Sequence, residues 1–221
     1  FTLSMMACGI LANSSFAQPD SAADGYAGAT SYEEPVAPAG FDTKYESELI
    51  IGTHQLITDS LRSGEGYFSA DGSQLIFQSE VPGNNPFYQI FVQDLNTGDT
   101  FLVSPGVGLT TCPWIHPNLD LVMFSSTHAD PQALAKQAEE IRIRESGIDR
   151  PYGWDYDSHY DIYQANSDGT DLVNLTNTDG YDAEGSYSSD GAKILFASNR
   201  EAYSRLLSQA EQKLFDDDSS Y

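Results

Sequence analysis

Three stretches of the chain align without a gap: YFSADGSQLIFQS (67–79), WIHPNLDLVMFSS (114–126) and SYSSDGAKILFAS (186–198). Each begins polar and aromatic, passes a turn, and ends in apolar residues, a Phe and a small residue. Asp71-Gly72 and Asp190-Gly191 are hairpin-turn dipeptides, because glycine takes positive φ without a Cβ clash and aspartate caps its own turn. The residues that follow, Leu75-Ile76-Phe77, Leu121-Val122-Met123-Phe124 and Ile194-Leu195-Phe196, read as strands. A second module comes after: QIFVQDLNTGDTFLVS (89–104) matches DIYQANSDGTDLVNLT (161–176), each a strand, a Gly-containing turn and a strand. One unit is thus four short strands in two hairpins, recurring roughly every 45 residues, the spacing of propeller blades. A lone four-stranded sheet cannot bury both faces, so such units must stack.

The expected fold class is all-β: a β-propeller of four-stranded antiparallel blades with short helical insertions. Blades are expected at about 66–104 and 109–176, with partial blades at 47–59, where SELIIGTHQLITD reads as an outer strand, and at 181–221. A closed propeller needs about four blades. Two whole and two partial blades therefore point to a fragment of a larger propeller within 41–221. Residues 130–146 carry Ala133, Leu134, Ala138 and Ile141 at helical spacing after the start signal Asp130-Pro131, and 202–215 repeat the design with Leu206, Leu207, Ala210 and Leu214. Both insertions fall between the second and third strands of a blade.

Ahead of the blades, residues 1–17 form an apolar run closing on Ser15-Phe16-Ala17, a small-x-small pattern that reads as the remainder of a signal peptide. Residues 18–40 are rich in Ala, Pro, Ser, Gly and acids, and read as a flexible leader. The expected location is periplasmic or secreted. Cleavage after Ala17 removes Cys8 and leaves Cys112 without a disulfide partner.

The element aromatic-Ser-x-Asp-Gly-x-x-Ile-x-Phe-x-Ser, clearest in SYSSDGAKILFASNR, followed in the outer hairpin by Asp-Ile-Tyr, an Asp-Gly turn and Leu-Thr, resembles the TolB-type WD-like propeller repeat. The likeness covers about 47–198 and is eroded in the second blade, where Asn118-Leu119 replaces Asp-Gly. It implies a TolB-like propeller of six blades when complete, exported and binding protein or peptide partners in the bacterial envelope. The repeat also occurs fused to peptidases. The alternative is the propeller part of a larger hydrolase, a prolyl-oligopeptidase-like serine peptidase or a zinc aminopeptidase, which sequence beyond Tyr221 would decide. The 221 residues contain no G-x-S-x-G elbow, no H-E-x-x-H and no phosphate-cradling glycine loop, so a non-enzymatic role is the expectation.

Lys plus Arg number 10 against 33 Asp plus Glu, a formal charge of −23. Such a field repels nucleic acid and anionic membrane surfaces, and no segment of the mature chain is apolar for long enough to insert in a bilayer. Cations, basic peptides or solubility alone fit it.

In the alignment Glu65, Cys112 and Glu184 share one position, just before the innermost strand. In propellers of the resembled type that strand lines the central channel, so Glu65 and Glu184 are candidates for a carboxylate ring that takes a cation or a peptide amine. The plainer reading is a pair of solvated turn residues. His128, Asp157, His159 and Asp161, from THAD (127–130) and WDYDSHYD (154–161), are candidate ligands for calcium or zinc. Their spacing matches neither a zinc pattern nor an EF-hand loop, so polar loop residues are the alternative and no cofactor is required. Cys112 has no basic neighbour and reads as buried and inert; a nucleophilic role would need His116 as partner. Phe77, Trp114, Phe124 and Phe196 read as inter-blade core.

Overall fold

The structure is a computed structural model and describes residues 56–57, 60–80, 83, 85–148, 150 and 156–217. The strand expected at 47–59, apart from 56–57, and both N-terminal segments lie outside the described residues. The blades belong to one compact unit, Ile57–Tyr221.

Blade one is β1 (Arg62–Phe68), β2 (Gln74–Glu80), β3 (Gln89–Asp94) and β4 (Thr100–Leu102), in that spatial order. Blade two is β5 (Thr110–Ile115), β6 (Leu121–Ser126), β7 (Asp161–Asn166) and β8 (Val173–Asn174), and blade three pairs β9 (Asp182–Tyr187) with β10 (Ile194–Ser198). All paired strands run antiparallel. The three aligned stretches share one register: Tyr67 faces Ile76, Trp114 faces Met123, and Ser186 faces Leu195. Repetition in sequence is thus repetition of a hairpin down to its cross-strand pairs.

The two Asp-Gly turns are built alike. Asp71 Oδ1 accepts the hydroxyl of Ser69 at 2.7 Å and the amide of Ser73 at 3.0 Å, and Asp190 Oδ1 accepts Ser188 Oγ at 2.6 Å and the Ala192 amide at 3.0 Å. These bonds stabilise the ionised carboxylate, and the Ser69 hydroxyl and Ser73 hold Asp71 down at about 2.

Period-two alternation lets blade two serve two neighbours. Val122 and Phe124 of β6, with Tyr163 and Ala165 of β7, pack on Ile76, Ile90, Val92 and Val103 of blade one. The intervening Met123 and Ile162 point to the opposite face and join Tyr187, Ile194, Phe196 and Trp114. Val122, Met123 and Phe124 are fully buried, and each such side chain contributes about 1.5–3 kcal/mol through removal of apolar surface from water. A charged pair also closes blade three: Arg200 Nη2 lies 2.7 Å from the fully buried Asp182 Oδ2, and its guanidinium covers the Phe196 ring.

The insertions depart from expectation. Helix α1 (Ala133–Glu145) lies between β6 and β7, and in the turn that leads into it Asp130 Oδ1 accepts the Gln132 amide at 2.8 Å. Yet of the expected apolar stripe Ala133 alone is buried: Leu134 is 66% exposed, Ala138 is exposed, and the other buried residue of the helix is Gln137. The second insertion is two helices, α2 (Glu201–Ser204) and α3 (Gln209–Asp217), and Leu206 between them is exposed. No helix among the described residues is long and apolar enough to cross a membrane.

Candidate functional site

The first strands β1, β5 and β9 lie side by side, β5 against both others. Each breaks register once, between Gly64 and Tyr67, between Thr111 and Trp114, and opposite Leu195–Ala197. At these bulges stand Glu65, Cys112 and Glu184, with φ of +46°, +52° and +58°. They therefore sit within the first strands of their sheets rather than ahead of them, a correction to the sequence reading. A bulge of this kind usually places glycine in the left-handed region, which other residues enter only at a cost. No spacing rule predicts that strain, though the alignment had already put the three residues at one position.

The three side chains interact. Burial pushes the Glu65 carboxyl above its usual range, hydrogen bonds from the Cys112 thiol and amide pull the other way, and the charge of Glu184 adds to the rise. Burial, followed by the Glu65 charge, pushes the Cys112 thiol well up, so it stays protonated and donates to Glu65. His116, its supposed partner, is engaged elsewhere: its Nδ1 accepts the amides of Asn118 and Leu119. The arrangement is two carboxylates and a neutral thiol brought together from three blades. A half-buried carboxylate at Glu65 with the exposed one of Glu184 within electrostatic reach is an arrangement that a positive group would favour.

The second group of candidates divides. Asp157 and His159 come together, His159 Nδ1 lying 3.0 Å from Asp157 Oδ1, and the residue that joins them is Asp130, 3.9 Å from His159 Nε2. Ligand atoms of Asp130, Asp157 and His159 lie within 4.8 Å of one another, a spacing open to a metal ion. Lys136, however, reaches both carboxylates, with Nζ 2.7 Å from Asp130 Oδ2 and also ion-paired to Asp157. Burial alone would lower the Lys136 ammonium, but its bonds to Asp130 and Asp157 override this and hold it above the lysine range. The same contacts, with the Gln132 amide, keep Asp130 below the usual carboxylate range despite its burial. The sequence marks Asp130 as a helix start, a reading from local spacing that does not expose a contact made across the blade.

His128 and Asp161 lie apart from that cluster. His128 Nδ1 is 3.0 Å from Ser126 Oγ and its ring lies on Tyr163 at 4.3 Å; burial lowers it, against a smaller rise from the Asp161 charge. Asp161 closes the outer hairpin by accepting Thr176 Oγ1 at 2.6 Å, Asn174 Nδ2 at 2.8 Å and the Thr178 amide at 3.2 Å.

Four-stranded antiparallel sheets stacked face on face, with their first strands side by side, make this a β-propeller protein. No protein-family model matches the chain, and no curated protein does. Among solved structures it is similar to a putative TolB from Agrobacterium tumefaciens, at 18% identity and a TM-score of 0.46, over 66% of this chain and 41% of that one. It is similar also to TolB from Acinetobacter baumannii, at 20% identity and a TM-score of 0.42, over 63% and 27%. A structure from a study of two prolyl endopeptidases matches at 11% identity and a TM-score of 0.37, over 64% and 19%. The chain spans less than half the length of each, and the description of the fold rests on the sheets themselves.

Proposed function

We propose that the chain is an exported, non-enzymatic β-propeller scaffold that binds a protein or peptide partner in the bacterial envelope, and that Glu65 and Glu184 receive a positive group of that partner. The observation that carries this reading is the presence of carboxylates at two of three left-handed bulge positions. Glycine would hold those positions with less strain, and strain kept at equivalent sites is a mark of function. The repeat, the apolar run ahead of Ser15-Phe16-Ala17 and the neutral state of Cys112 support the rest of the reading. The test is a pull-down from envelope extract with the full chain and with Glu65→Gln/Glu184→Gln. A partner retained by the first and lost by the second supports the reading. Equal capture by both removes the carboxylates from it, and no capture removes the scaffold itself.

A further inference from the structure

We propose that helix α1 is a lid, latched by polar contacts across the seam of blades one and two, that opens while the blades stay folded. Although it belongs to blade two, α1 grips blade one: Arg144 ion-pairs with Glu80 at the end of β2, a carboxylate that is 2% exposed and is also held by Arg62. Between the blades, Gln137 Oε1 accepts the amide of Gly108 at 2.9 Å. On its own blade, Lys136 pairs with Asp130 and Asp157. Against these latches the apolar contribution is small, since Ala133 is the one apolar residue of the helix that is buried. Helix and seam do not close on each other either: they border a solvent-open groove lined by Phe87, Leu109 and Tyr156 from the blades and by Lys136 and Ile143 from the helix.

An element held by few apolar contacts beside an open groove opens at lower free energy than strands whose side chains are fully buried. The latches are hydrogen bonds to charged or buried groups, each of which holds the closed state by a factor of about ten or more. Opening widens the groove at Leu109 without disturbing the β6 and β7 side chains that bind the blades.

Hydrogen exchange of the full chain at neutral pH, read by mass spectrometry on segments covering α1, β6 and β7, tests this directly. The expected result is exchange in α1 at least about 100-fold faster than in β6 and β7, yet slower than in an unstructured peptide. Arg144→Gln should speed α1 by about tenfold with β6 and β7 unchanged, and Gln137→Ala should act in the same direction should the first variant fold poorly. Leu134→Gln, on the exposed side, should change neither. Protection of α1 equal to that of β6, no protection at all, or equal acceleration of helix and strands by the latch variants would each overturn the proposal.

Discussion

His116 Nε2 and the carbonyl oxygen of Gly191, 75 residues apart in the chain, lie 3.2 Å from each other across the seam of blades two and three. Because Nδ1 of the same ring accepts the amides of Asn118 and Leu119, both at 3.1 Å, the ring proton belongs on Nε2, which donates it to Gly191. Asn118 Nδ2 adds a second bond, to the carbonyl of Asp190 at 3.1 Å. In the alignment His116 stands where Ser69 and Ser188 organise the other turns. The turn of blade two has therefore exchanged a self-sufficient Ser-x-Asp-Gly cap for one that also leans on its neighbour, which gives the eroded motif a structural reason.

The seam makes two similar glycines unequal. Gly72 (φ +72°) has nothing within 4 Å of where a Cβ would stand, whereas a Cβ on Gly191 (φ +74°) would overlap the His116 ring. Gly72→Ala should cost about 1 kcal/mol, the penalty for positive φ alone. Gly191→Ala should cost about 2–4 kcal/mol, because the ring must also leave its three partners. Urea unfolding of both variants gives the comparison, and equal losses would refute the role of the His116–Gly191 contact at the seam.

The repeat made the hairpins, their register and the inter-blade core legible, because period-two alternation and Asp-Gly turns are local signals. Phe124 lies in the core as expected, and Glu65, Cys112 and Glu184 take equivalent bulge positions in three blades. What stayed hidden depends on contacts between segments distant in the chain. The stripe Ala133, Leu134, Ala138 and Ile141 promised an apolar helix face, but of these Ala133 alone is buried, and Glu80, Gly108 and Asp157 select the polar residues Arg144, Gln137 and Lys136. Likewise Asp161 stands two residues from His159 yet turns to Thr176 and Asn174, because it opens β7, which pairs with β8, while His159 lies in the turn before it.

Glu65 sets a pH dependence whose sign is fixed. Its folded value lies above the usual glutamate value of 4.5, so between the two the folded state binds more protons than the unfolded one and stability falls as pH rises. The contribution is fully present below about 4.5 and is lost as pH passes the folded value. Glu65→Gln should therefore melt with wild type at pH 4 and a few degrees above it at pH 7. Differential scanning calorimetry at the two values checks this, and a variant less stable at pH 7 would show that the charged form is the favoured one.

Lys136 occupies the place a metal would take among Asp130, Asp157 and His159. Lys136→Ala should cost about 2 kcal/mol, less than a fully buried pair because the ammonium is partly solvated. It should also turn the cluster into a metal site: added Zn²⁺ should raise the melting temperature of the variant, a chelator should reverse the gain, and a further His159→Ala should abolish it. A Lys136→Ala protein that ignores Zn²⁺ would mean that the three ligands cannot converge on an ion.

Glu184 offers the sharpest test of whether stability was given up for a site. At φ +58° a glutamate side chain crowds its own backbone, and glycine does not, so Glu184→Gly should stabilise the fold by about 0.5–1 kcal/mol even after the added freedom of the unfolded chain is counted. The same replacement removes one of the two carboxylates beside Cys112. A variant that unfolds at higher urea concentration and captures less partner is the expected pair of results, because the gain comes from the backbone and the loss from the side chain. If Glu184→Gly is instead less stable, contacts of the carboxylate hold the bulge together and its place there is structural.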